Sequence, residues 1–144
     1  HLPLWYPAEA LTSATASRDP PGATTAVLAV GAPCYLAGAA ADKAAAQGAA
    51  VDVHVINGFP LEDGFLDGLA ARYQRIVTIE DGLIGDPQSG TRGFAGLVAT
   101  ALAGTGVRLS HLGISDPRIA PSEHYVKVWE HFGMTEQGLL EALL

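Results

Sequence analysis

From Thr25 to Ile114 short apolar runs alternate with longer segments of helical composition, and this alternation restricts the fold more than any other feature of the sequence. The runs Thr25–Gly31, Val51–Ile56, Arg75–Glu80 and Val107–Ile114 read as strands, with helices expected between them at Tyr35–Gln47, Leu61–Tyr73 and Phe94–Ala103. Two further helices are expected at about Ser122–Phe132 and Thr135–Leu144. Strands separated by a helix need a crossover, crossovers bring parallel pairing, and a parallel sheet must be covered on both faces. The pattern predicts an α/β fold of three layers, a sandwich with helices on either side of the sheet.

A chain of 144 residues has room for one such domain. Residues 1–23 read differently: they hold four prolines, a Ser/Thr/Ala run between Leu11 and Ser17, and the turn Arg18-Asp19-Pro20-Pro21-Gly22. This stretch is expected to be an N-terminal linker or arm, with the domain proper at 24–144. Because 49% of the residues are hydrophobic and 16% charged, enough apolar surface exists to offset chain entropy, and disorder is excluded. Eight Lys and Arg against fifteen Asp and Glu leave a net charge of −7, which disfavours nucleic acid or an anionic membrane as partner.

The single cysteine, Cys34, excludes an internal disulfide and a cysteine-rich zinc site and suits a reducing cytoplasm, the expected compartment. No apolar stretch approaches the roughly 20 residues that cross a bilayer, and the start His1-Leu2-Pro3 does not resemble a signal peptide. Met134 is the only methionine, so a piece of a longer polypeptide is expected.

In open parallel sheets ligands gather beyond the carboxyl ends of the strands. Those ends are Gly31–Cys34, Asn57–Pro60, Glu80–Gly82 and Ser115–Pro117, and none holds a complete catalytic set. Neither a dinucleotide fingerprint nor a phosphate loop ending in Gly-Lys-Ser/Thr is present. Cys34, at a strand-to-helix junction, has the position of an activated thiolate, but between Pro33 and Tyr35 on an alanine-rich helix a small core residue is the favoured reading. His54 and His111 lie inside two strands and have the residue type of an acid/base pair or ligand set; hydrogen-bonded sheet histidines are favoured over that. His124 and His131, seven apart, share a helix face without the four-residue spacing of a helical zinc site.

The third crossover carries most information. Gly85, Gly90, Arg92 and Gly93 place glycines, a cation and a helix start together, a composition suited to holding a carboxylate or phosphate, with packing as the favoured alternative. Trp5 and Tyr6, with Leu2 and Leu4, and Tyr125 and Trp129, at helical spacing with Val128, are candidate interface anchors.

The motifs from about Thr24 to Leu144 resemble, in order and spacing, the C-terminal domain of transketolase-like enzymes, a group that includes transketolase, deoxyxylulose-phosphate synthase and the beta chains of 2-oxo-acid dehydrogenases. The resemblance rests on Val51–Asn57 followed by Pro60-Leu61, on Ile76–Asp81 with its paired acidic residues, and on the glycine-rich helix start Gly93–Gly96. It continues through Leu112–Asp116 and Glu130–Thr135, and the ending Trp129–Leu144 is most similar to transketolases. Leu4-Trp5-Tyr6-Pro7 is similar to the family's passage from its pyrimidine-binding domain into the last domain. The loop Gly85–Arg92 is longer than the compact turn usual there.

The resemblance implies a mostly parallel sheet of about five strands with one antiparallel, the odd strand coming from near Leu11–Ser17. It also implies a parent enzyme, homodimeric, that uses thiamine diphosphate and magnesium to move a two-carbon ketol unit between phosphorylated sugars. Cofactor and substrate there are held by the preceding catalytic domains or subunit. In this chain Gly85-Asp86 is followed by Pro87 with no later asparagine, so it lacks the family's magnesium segment and is not expected to bind the cofactor or act alone. The resemblance thus implies a non-catalytic C-terminal domain serving assembly and effector binding. The alternatives are a 2-oxo-acid dehydrogenase beta-chain domain, a stand-alone anion-binding regulatory module, and, last, a hydrolase built on Cys34 or the strand histidines.

Overall fold

A computed structural model describes residues 13–86, 90–116, 118 and 122–144. The elements run β1 (Ala14–Arg18), β2 (Thr25–Val30), α1 (Cys34–Ala46), β3 (Val51–Ile56), α2 (Phe65–Arg72), β4 (Arg75–Leu83), α3 (Gly93–Ala101), β5 (Arg108–Ile114), α4 (Tyr125–His131) and α5 (Glu136–Leu143). One five-stranded sheet has the order β1-β3-β2-β4-β5. β2, β3, β4 and β5 pair in parallel, and β1 runs antiparallel to β3 with Ala14 opposite Ile56. This is the mixed α/β sheet expected.

The sheet separates two cores, as strand alternation requires. On one face Val27, Ala29, Val53, Val77 and Ile79 meet α1, α4 and α5; on the other Ala26, Leu28, Ile56 and Ile76 meet α2 and α3. Helix α1 buries Ala37, Ala40, Ala41 and Ala44. Their three- and four-residue spacing makes one narrow stripe of small side chains, which lets the helix lie close on the sheet.

Residues 14–18, grouped with the arm by composition, belong to the sheet. An edge strand of Ala, Thr and Ser is held by its backbone ladder and carries no apolar alternation for sequence reading to detect. Helix α2 begins at Phe65, not Leu61, because residues 62–65 form a turn closed by the Phe65 N–H on the Glu62 carbonyl at 3.1 Å, with Gly64 at φ 78°. Strand β4 runs past Glu80 to Leu83. Its register with β5 shifts, Ile79 pairing with Leu112 but Leu83 with Ile114, so β4 carries extra residues in a bulge at its carboxyl end.

Candidate functional site

The bulge places two consecutive acidic residues on different tasks. The Glu80 side chain, 7% exposed, reaches the start of α3, where Oε1 accepts from the Phe94 N–H at 3.0 Å and Oε2 from the Ala95 N–H at 2.7 Å. Asp81 turns to the other core, and its Oδ1 accepts from the Trp129 indole N–H at 2.9 Å. Glycine is required at position 93, where the chain passes close to the Glu80 carboxylate and the Leu83 carbonyl. The Gly93 φ is +63°, and a Cβ there would run into the Glu80 carboxylate and approach the Leu83 carbonyl oxygen at 2.8 Å.

This arrangement gives the start of α3 an internal partner. The α3 amides of Phe94 and Ala95, the groups suited to an external anion, already serve an internal carboxylate. Beside them lies a cleft of about 310 Å³ lined by Leu83, Gly85, Asp86, Arg92, Ser115, Asp116 and Arg118. Gly85 and Arg92 thus do share a cleft, while Gly90 and Gly93 are not among its lining residues. Arg118 forks onto Asp116 through Nε and a terminal nitrogen, each at 2.9 Å, and this holds the Asp116 carboxyl below the usual carboxylate range. Two carboxylates balance two guanidinium groups, so the described cleft lacks the positive excess that would select an anion.

The strand histidines do not meet. His54 pairs in register with Leu28, Leu28 with Thr78, and Thr78 with His111. The two rings therefore sit in one row three strand spacings apart, about 14 Å. Each is half-buried and bonded locally: His111 Nδ1 to the Thr78 hydroxyl at 2.7 Å, and His54 Nε2 to the Tyr73 hydroxyl at 2.9 Å. Burial lowers both imidazole pKa values from the ordinary one. Cys34 packs against the α1 core, and burial pushes its thiol pKa upward, opposite to what a nucleophile needs. His124 is the N-cap of α4, and the His131 ring lies against Phe132. Among the described residues no three His, Cys, Asp or Glu side chains are grouped to hold a metal ion.

A buried polar cluster escaped the sequence reading. Asp52, fully buried, accepts from the Tyr73 hydroxyl at Oδ2 and pairs there with Arg72 at 2.7 Å; Arg72 also pairs with Asp19 at 2.7 Å. With the phenol proton directed to Asp52, the phenol oxygen accepts from His54 Nε2. Burial and the Asp52 bond push the Tyr73 pKa well above its ordinary value. The cluster ties the β1–β2 turn and the end of α2 to β3 near the amino end of the sheet, away from the strand ends where ligands gather. A lone Asp in an apolar strand, two residues before a His, was the available signal.

Of the candidate interface anchors, Trp5 and Tyr6 lie outside the described residues. Tyr125 is 48% exposed and Trp129 only 2%. Trp129 is a core residue because α4 turns it inward between Tyr35 and Tyr125, with its N–H satisfied by Asp81. Helical spacing places residues on a shared face but does not say which face is covered.

No protein-family model and no curated protein sequence matches this chain. Its fold does match solved structures: it is the fold of one part of the transketolase chain. A structure described as a split-gene transketolase, an inactive beta4 tetramer, superposes with a TM-score of 0.75 at 20% identity, covering 90% of this chain and 40% of that one. Transketolase from Campylobacter jejuni gives 0.63 at 18% identity, covering 90% of this chain and 18% of its own. A Pichia stipitis transketolase mutant in complex with xylulose 5-phosphate gives 0.61 at 14% identity, with 92% and 17% covered. The chain spans less than half the length of each.

Proposed function

We propose that this chain is the non-catalytic C-terminal domain of a transketolase-like, thiamine-diphosphate-dependent enzyme, and that its role is assembly with the catalytic domains. The observation that carries the reading is the match over nine-tenths of this chain to a minor part of several transketolases. The local chemistry supports it. The histidines stand apart in the sheet row, the thiol is deactivated by burial, and the helix start that follows β4 is occupied by Glu80. We take assembly over effector binding because the Arg92 cleft is charge-balanced. Transketolase is preferred to a 2-oxo-acid dehydrogenase beta chain because the solved structures named above are transketolases. Calorimetric titration tests the reading: thiamine diphosphate with magnesium gives no binding heat with this chain alone, and binds the polypeptide that joins it to the sequence encoded upstream. Tight magnesium-dependent binding to the 144-residue chain would refute the non-catalytic assignment.

A further inference from the structure

The described surface carries five exposed large hydrophobic residues, and their distribution is uneven. Phe59, 56% exposed, follows the carboxyl end of β3; Leu83, 44%, ends β4; and Tyr125, 48%, opens α4 in the connection leaving β5. The fourth, Leu97 on α3, is 44% exposed and lies with Phe59 along a groove of about 390 Å³ between the β3–α2 loop and α3. Only Leu144, the last residue, lies apart.

Apolar side chains beyond the carboxyl ends of several strands of one sheet mark a rim that a partner would cover. Three observations say what the partner is. First, the chain enters the fold at this same rim: β1 is antiparallel to β3, so Ser13 lies at the carboxyl end of β3. There the Ser13 carbonyl accepts from the Asn57 N–H at 2.8 Å, and its hydroxyl accepts from the Glu62 N–H at 3.0 Å. Anything that precedes residue 1 in a longer polypeptide is tethered to this rim through twelve residues, a reach of about 40 Å at most. Second, transketolase chains of this fold contain at least as much polypeptide again as this domain supplies. Third, the groove is edged by Glu62, Asp63 and Asp67 with no Lys or Arg among its lining residues. A second copy of a chain of net charge −7 would set carboxylates against carboxylates.

We propose that the carboxyl rim of the sheet, marked by Phe59, Leu83, Leu97 and Tyr125, is the docking face for a domain preceding this one in the parent enzyme. That domain meets the rim with an apolar patch bordered by Lys or Arg. The inference rests on the proposed function and adds to it the face and the character of the partner.

Hydroxyl-radical footprinting of the 144-residue chain, and of the polypeptide joining it to the upstream-encoded sequence, tests the assignment. Severalfold loss of oxidation at Phe59, Leu97 and Tyr125 on joining, with Leu144 unchanged, is the expected result. Unchanged oxidation at the rim with protection elsewhere would overturn it. So would a self-association of the isolated chain that Leu97→Glu abolishes, since the occupant would then be a second copy. Supplying the upstream polypeptide in trans reads the charge: the double variant Glu62→Lys, Asp63→Lys weakens the complex at least tenfold, whereas unchanged or tighter binding refutes a basic border. Both sites are exposed, and circular dichroism checks that the variant folds. Thiamine diphosphate binding by the joined polypeptide reports separately on the enzyme class. Rim protection without cofactor binding, including after any separately encoded partner subunit is added, removes the transketolase reading and leaves the docking face, and cofactor binding without rim protection does the reverse.

Discussion

Replacing Glu80 tests the link between the end of β4 and the start of α3. The Glu80 side chain is 7% exposed and receives two backbone N–H groups that have no partner within the helix. A hydrogen bond to a charged group contributes about 1.5–3 kcal/mol, and a buried donor left unsatisfied costs about 1–3 kcal/mol. Because both bonds share one carboxylate, their losses do not add fully, and Glu80→Ala is expected to cost about 3–5 kcal/mol. Glu80→Gln keeps one acceptor oxygen but turns its amide group toward the other N–H, so about 2–3 kcal/mol is expected. Urea denaturation measures both, and native-state hydrogen exchange at Phe94 and Ala95 locates the loss. If Glu80→Gln falls within about 0.5 kcal/mol of the parent and both amides keep their protection, the carboxylate is not what secures the helix start, and the reasoning fails.

Trp129→Ala should destabilise the chain by about 3–5 kcal/mol in urea as a core truncation, with Trp129→Phe retaining most of that through apolar area. An effect on association with no loss of stability would return Trp129 to the interface. His111 has a pKa lowered from 6.5 by burial, so the unfolded chain takes up protons first as pH falls. Stability is therefore complete above about pH 6.5 and declines below it; Thr78-bonded His111 should titrate below 6.5 by NMR, and His111→Gln should flatten part of the acid limb. The Cys34 thiol should react with an aromatic disulfide at pH 8 more slowly than a cysteine peptide, since burial raises its pKa; an accelerated reaction would reopen the nucleophile.

The class of fold and four of the five strands were legible in the sequence. Short apolar runs separated by helical segments specify parallel strands, and the alanine spacing of α1 specifies its buried stripe. The fifth strand was legible only through the family resemblance, because Ala14–Arg18 is held by backbone pairing at an edge. Tertiary structure decided the chemistry of the site. Glu80 and Phe94 are fourteen positions apart, and no local pattern says that a strand-end carboxylate will fill a helix start formed after a loop. Strand order likewise decided that His54 and His111, alike in sequence context, stand on β3 and β5 with β2 and β4 between them. Trp129 and Phe59 make the same point: sequence periodicity identified one as an anchor and passed over the other, yet Trp129 is 2% exposed and Phe59 56%. Burial depends on which elements pack against a face, and that is fixed only when distant segments close on one sheet.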